Sequence, residues 1–307
     1  MLDLSLFMEI SGPPEVSTYA KAWHGHVPFA RWLLRQTDPK TFVELGVFLG
    51  DSYLPICETV FRNKLGTRCF GVDTWEGDAH AGAIGSSSFD RLKAFHDLRY
   101  GAFSMLLRMR FEDAVREFKD DSIDLLHIDG LHTYEAVRSD FETWLPKMSA
   151  QGVVLFHDTA VKRDDFGVDR LWSEISPKYP SFEFEHSNGL GVLAIGKELP
   201  EALRWLTELG DPERSAVRLA FAHAGAAAAA HAVLRPATNG YQVDEECSDP
   251  RVLSARVLEY EEATQFHKET IQALRKHIES LQASTSWKVT GPLRKLSDML
   301  RHRTSAK

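Results

Sequence analysis

Residues Ser122 to His132 read SIDLLHIDGLH: an apolar run, then Asp129 and Gly130, then His132 three residues after the acid. Leu125, Leu126 and Ile128 suit a strand buried on both faces of a parallel sheet, and Gly130 lets the chain turn sharply where that strand ends. The turn lifts an acid and an imidazole out of the core at the carboxyl end of a strand, where open α/β sheets bind their ligands. Two readings stand for the pair. Either it is delivered to a site for chemistry, or Asp129 caps the following helix with His132 idle in its first turn.

Upstream, Thr41 to Ser52 reads TFVELGVFLGDS. A short strand ends in Glu44, Gly46 turns the chain, and Gly50 with Asp51 or Ser52 opens a helix to about Lys64 that Gly66 stops. Strand, glycine turn and helix start together suit a nucleotide-like cofactor, because glycines admit a ligand to the backbone and the helix start offers free N–H groups. The spacing Gly46-x-x-x-Gly50 departs from GxGxxG, which speaks against NAD. A second strand, Arg68 to Val72, ends in Asp73, placed to accept from ribose hydroxyls, and Trp75 offers a flat apolar face for a base. A helix-capping Asp with a surface-covering Trp is the alternative. His80 to Ser88, HAGAIGSSS, reads as a loop that closes over substrate, followed by a helix from about Asp90 to Tyr100 and a third strand from about Phe103 to Arg108. At its end Glu112 or Asp113 is placed either to accept from an exocyclic amine or to cap a short helix.

Downstream, the helix after His132 carries Tyr134, Val137, Phe141 and Trp144 on one face and ends at Pro146. A fifth strand, Gly152 to Phe156, delivers His157 and Asp158, so Asp129 and Asp158 emerge from adjacent parallel strands, close enough to share one cation. Phe182 to Phe184 and Gly191 to Ile195, linked through Asn188-Gly189, read as a closing antiparallel pair.

At 307 residues the chain has room for one sizeable α/β domain with an appendage. Cys57, Cys69 and Cys247 are odd in number and lack CxxC spacing, which predicts no disulfides and a reducing compartment. The opening MLDLSLFMEI lacks a basic stretch, and no apolar run is long enough to span a bilayer; together these predict a cytoplasmic protein. A net charge of −8 argues against nucleic acid as a partner. His24 and His26, in WHGH before the Pro28 helix, read as solvated or capping groups, or as groups reaching a pocket.

Taken together, Val43-Glu44-Leu45-Gly46 with Gly50, Asp73 one strand later, Asp129-Gly130 with His132, and His157-Asp158-Thr159 resemble class I S-adenosylmethionine-dependent methyltransferases, and within them the branch that O-methylates sugars and macrolides. The resemblance covers roughly residues 20 to 197. It implies an α/β, Rossmann-like, doubly wound seven-stranded sheet whose last strand is antiparallel. It also implies S-adenosylmethionine as cofactor, held by Glu44, Gly46, Gly50, Asp73, Trp75, Glu112 and Asp129. In metal-dependent relatives an acid after strand four and an acidic pair after strand five hold Mg²⁺; the matching residues are Asp129, His157 and Asp158, and the histidine, where an oxygen ligand often sits, either shifts the preference from Mg²⁺ toward Mn²⁺ or another transition metal or is simply a polar pocket residue. His132 is the candidate general base.

The expected organisation is a helical lead-in over 1–40, the methyltransferase domain over 41–197, a helical segment over 198–235, a linker over 236–251, an amphipathic or coiled-coil helix over 252–285 and a basic amphipathic tail over 286–307. Asp211-Pro212-Glu213 starts a helix that the alanine run Ala224 to Ala232 continues. The seven-residue pattern from Leu253 to Leu281 predicts self-association, with one helix docked on its own core as the alternative. The tail resembles those of bacterial surface-glycan enzymes, which implies a glycan or other small-molecule acceptor and contact with a glycosyltransferase or an anionic membrane surface.

Overall fold

The computed structural model describes residues 7, 9–12, 14, 15, 21–78, 80, 82, 83, 86–163 and 165–234. The linker, coiled-coil and tail expected over 236–251, 252–285 and 286–307 lie outside the described residues. Within them the apolar runs become β1 (Thr41–Leu45), β2 (Arg68–Asp73), β3 (Ser104–Arg108), β4 (Ile123–Ile128), β5 (Met148–His157), β6 (Ser181–Phe184) and β7 (Leu190–Ala194), in one sheet ordered β3-β2-β1-β4-β5-β7-β6. The first five pair in parallel, and β7 runs antiparallel to both β5 and β6. This is the architecture the motifs implied. The strand order reverses between β1 and β4, which opens a crevice beyond their carboxyl ends.

Alternation along the central strands divides the core between the two faces. Phe42, Leu125, Val153 and Leu155 pack on one face with Trp32 of α1 (Val27–Thr37) and Ile56 of α2 (Tyr53–Asn63). Val43, Leu126, Val154 and Phe156 pack on the other with Phe141 and Trp144 of α5 (Tyr134–Trp144) and Trp172 of α6 (Val168–Ile175). Between these helices in chain order lie α3 (Ser86–Tyr100) and α4 (Phe111–Ala114). The helix expected from Asp90 begins at Ser86, so the end of the small-residue stretch is helical, and Gly77–Asp78 pairs with Gly82–Ala83 in a two-residue ladder. α2 stops before Gly66 because Lys64 takes the left-handed conformation that ends it.

The segment expected to be helical over 198–235 forms α7 (Glu201–Glu208) and α8 (Glu213–Leu234). Before α1, Lys21–His26 forms a 3-10 turn in which His24 and His26 are buried, not solvated. His24 Nε2 lies 2.7 Å from Asp51 Oδ1, and His26 Nε2 donates to the Ser187 carbonyl at 3.1 Å. Among the described residues no helix is long and apolar enough to cross a membrane.

Candidate functional site

Beyond the β1 and β4 ends lies a cavity of about 710 Å³, within the range of small-molecule sites. Gly46 (φ 91°) turns the chain out of β1 so closely against the β4 loop that a Cβ there would sit 2.0 Å from the Asp129 carbonyl oxygen. The two loops are joined by the Asp129 amide donating to the Leu45 carbonyl at 2.9 Å. Asp73 organises the same turn: its Oδ2 accepts from the Val47 and Phe48 amides at 2.9 and 2.8 Å, and its Oδ1 from the Trp75 amide at 2.7 Å. It also lines the cavity, where a carboxylate's remaining lone pairs can accept further hydroxyls.

Three residues expected on the cofactor stand elsewhere. Trp75 has a left-handed backbone (φ 53°) that turns the ring inward; its indole N–H donates to the Phe48 carbonyl, Phe89 covers it at 4.5 Å, and it is only 2 % exposed. It therefore offers no face to a base. Gly50 (φ 90°) packs against Leu54 and Leu92, serving the turn into α2. Glu44 is fully buried opposite its register partner His127; its Oε1 accepts from the Ser52 hydroxyl at 2.6 Å and its Oε2 lies 3.1 Å from His127 Nδ1. The Trp23 indole N–H donates to His127 Nε2 at 3.1 Å, so Glu44 and His127 lie buried between the N-terminal turn and the head of α2. Burial raises the Glu44 pKa, against the opposing pull of His127 and Ser52.

The question left open at Asp129 is settled by its neighbour. Thr133 caps α5, its hydroxyl accepting from the Ala136 amide, and Asp129 is left to face the cavity. His132 Nε2 lies 2.8 Å from Asp158 Oδ2 and 3.5 Å from Asp129 Oδ1, and its ring stacks on Phe166 with centroids 4.7 Å apart. Burial disfavours charge on this imidazole, but the two carboxylates outweigh it and raise its pKa to about 9. His157 Nδ1 stands 3.2 Å from Asp129 Oδ1 while its Nε2 faces the Ser187 carbonyl at 3.2 Å. Here too burial is overcome by Asp129 and Asp158, and the pKa lies well above the ordinary range. Both aspartates are held well below the usual carboxylate range by these histidines, against the effect of burial.

The donor atoms that converge within 4.8 Å of one another belong to Asp129, His132 and Asp158. The sequence placed His157 in that set and His132 outside it. In the structure His157 is occupied by pairing with Asp129 and by the Ser187 carbonyl, while the turn after β4 swings His132 between the acids. Two carboxylates and one imidazole suit a divalent transition metal better than Mg²⁺, and Asp158 Oδ1 is buried with no hydrogen-bond partner among the described residues.

Glu112 lines the cavity, mostly exposed, 3.4 Å from Arg110 Nη1. Sequence reasoning missed Asp140. Ala136, Ser139, Asp140 and Thr143 form the stripe of α5 that faces the cavity, a helical spacing legible in the sequence beside the apolar stripe that was read. Burial, with the charge of Glu112, lifts the Asp140 carboxyl to about 7. A folded-state pKa above the unfolded value means the native state binds more protons between about pH 4 and 7, so stability falls as pH rises through that window. Asp140→Asn is expected to raise Tm more at pH 8 than at pH 5, a difference of about 1 kcal/mol; equal gains at both pH values would refute the assignment.

Residues 43–159 match the profile of a family described as a methyltransferase domain. That span runs from β1 to just past β5 and contains Gly46, Asp73, Glu112, Asp129, His132 and Asp158, in keeping with the resemblance drawn from the motifs. An uncharacterized protein of Sinorhizobium fredii, y4gI, is 46% identical over 194 residues, 63% of this chain and 21% of the relative, so the chain spans about a fifth of that protein. Among solved structures, the SAH-bound Podospora anserina methyltransferase PaMTH1 aligns with 14% identity over 59% of this chain and 80% of its own, at a TM-score of 0.43. The O-methyltransferase TomG from Streptomyces achromogenes aligns with 14% identity over 59% and 91%, at a TM-score of 0.40.

Proposed function

We propose that this chain, whose residues 43–159 match a methyltransferase-domain profile, is a class I methyltransferase that moves the methyl group of S-adenosylmethionine to a hydroxyl oxygen of a small acceptor, a sugar by preference. The observation that carries the reading is one cavity joining the Gly46 and Asp73 cradle to the Asp129, His132 and Asp158 cluster. Two features support the cofactor here: Gly46 lets the β1 loop lie against the β4 loop at the cavity, and Asp73 faces that space with acceptor capacity to spare. The basic tail over 286–307 supports a saccharide acceptor, and with it come self-association through 252–285 and contact of the tail with a glycosyltransferase or an anionic membrane surface.

In this reaction the acceptor O–CH3 bond forms as the S–CH3 bond breaks, leaving the thioether S-adenosylhomocysteine. His132 takes the hydroxyl proton, and alignment of the oxygen supplies much of the remaining rate. Because the neutral imidazole is the active form, kcat/KM is expected to climb about tenfold per pH unit toward an inflection near 9.

A second reading is favoured by the convergence of the three donors. Asp129, His132 and Asp158 would hold a divalent cation such as Mn²⁺, which when bound supplies Lewis acidity to the acceptor hydroxyl. His132 is then a ligand and not the base. Calorimetry with S-adenosylmethionine and, separately, NAD, followed by methyl transfer to a panel of sugars and nucleotide sugars with EDTA or added Mn²⁺, tests both. Binding of the methyl donor alone supports the reading, and binding of neither or of NAD overturns it. Turnover that EDTA removes and Mn²⁺ restores selects the cation.

A further inference from the structure

Away from the cavity, four side chains meet where α2 and α3 pack on the β2–β3 edge of the sheet. Cys69 and Ser104 are register partners on the adjacent strands β2 and β3, and Cys57 reaches them from α2, its Sγ 3.4 Å from Ser104 Oγ. His96 of α3 completes the group: its Nε2 lies 2.7 Å from the same Ser104 Oγ and its Nδ1 2.8 Å from Asp97 Oδ1. Cys57, Cys69 and His96 have no solvent exposure, and both thiols are free.

These hydrogen bonds can all run one way. Ionised Asp97 accepts from His96 Nδ1–H, His96 Nε2–H donates to Ser104 Oγ, and the Ser104 hydroxyl donates to the Cys57 sulfur. The proton of the Cys57 thiol then resides on His96. Burial raises the Cys57 pKa, but hydrogen bonds from Cys69, His96 and Ser104 outweigh it and hold the thiol below its ordinary range. Cys69 is pushed well above that range, first by the bond it gives to Cys57 and then by burial. One sulfur is thus a thiolate and the other a thiol beside it, which divides the roles of attacking and resolving cysteine between them.

We propose that Cys57 and Cys69 form an oxidation site that hydrogen peroxide converts to a disulfide. In the first step the Cys57 sulfur attacks one peroxide oxygen: the S–O bond forms, the O–O bond breaks, and the departing hydroxide takes the proton held on His96 and leaves as water. Cys57 is then a sulfenic acid. In the second step the Cys69 sulfur attacks the Cys57 sulfur: the S–S bond forms, the S–O bond breaks, and the hydroxide leaves with the Cys69 proton as a second water. The two thiols give up two electrons and the peroxide gains them. Because both sulfurs are shut off from solvent, the site selects an oxidant little larger than water, admitted as the core opens locally. The new bond ties α2 to β2, the strand that ends in Asp73. This inference is independent of the cofactor reading.

The test uses the full chain carrying Cys247→Ser, which leaves these two cysteines. Folded, reduced protein is treated with hydrogen peroxide near neutral pH, then denatured, alkylated and mapped by mass spectrometry. Both thiols are expected to be lost to alkylation, the peptides holding Cys57 and Cys69 to be joined, and dithiothreitol to restore both thiols. With Cys69→Ser added, and folding checked by thermal melting, oxidation is expected to stop at a sulfenic acid that dimedone traps on Cys57. His96→Phe is expected to slow disulfide formation about tenfold, because the thiolate fraction falls while the rise in intrinsic nucleophilicity compensates only in part. Two alkylatable thiols after peroxide treatment overturn the inference whether or not the variants fold. So does a Cys57 oxidised beyond the sulfenic acid beside a free Cys69. An unchanged rate in folded His96→Phe overturns the thiolate mechanism.

Discussion

Gly46→Ala is expected to lower the affinity for S-adenosylmethionine more than a hundredfold and to destabilise the fold by about 3 kcal/mol. Two effects combine. The backbone at φ 91° is open to glycine and strained for alanine, and the new methyl group would meet the Asp129 carbonyl oxygen at 2.0 Å. That oxygen belongs to backbone, so it cannot rotate aside as a side chain would. Relief requires the β1 and β4 loops to part, breaking the hydrogen bond from the Asp129 amide to Leu45 and moving Asp129 and Asp73 apart. Thermal melting and calorimetry on the same preparation separate the two losses; a variant with wild-type affinity would show that this turn does not face the cofactor.

Asp158→Asn is expected to reduce turnover about a thousandfold while S-adenosylhomocysteine binding changes by only a few fold, because the proposed function gives the residue to the chemistry at the acceptor hydroxyl. Asparagine keeps the shape and removes the charge. Asp158 Oδ2 is the nearer carboxylate to His132, at 2.8 Å, and it also stands 3.4 Å from His157 Nδ1. Without it one of the two anions that raise the His132 pKa is gone, so the inflection near 9 moves downward even as the rate falls. The cation reading shares the loss of rate, since the variant removes one of three donors. Turnover within tenfold of wild type would exclude Asp158 from the chemistry in either form. A loss of cofactor affinity as large as the loss of rate would place it on the cofactor instead.

Strand positions, their parallel pairing and the end of each strand where polar groups emerge were legible in the sequence, because each rests on short-range facts. An apolar run of five or six residues between turn signals forms a buried strand wherever it falls in the chain. Strands separated by helical patterns pair in parallel, and Asn188-Gly189 before the last strand marked the antiparallel closure. Gly46, Asp73, Asp129, His132 and Asp158 were therefore found from their places at strand ends, and the structure gathers all five on one cavity.

Side-chain partnerships were decided by the tertiary structure, since they depend on register and on loop backbone conformation. Glu44 looks like a motif acid in the sequence, but register sets it opposite His127, and both are sealed beneath the loop they support. Trp75 is withdrawn from the cavity by one left-handed residue, its own, which no periodicity signals. His157 stands outside the three converging donors and His132 among them because one faces the Ser187 carbonyl, 30 residues away, while the turn after β4 swings the other onto Asp158. Asp140 entered only when α5 was laid on the sheet and its polar stripe proved to face inward. Local pattern fixes where a group leaves the core; which partner meets it there is set by contacts between residues far apart in the chain.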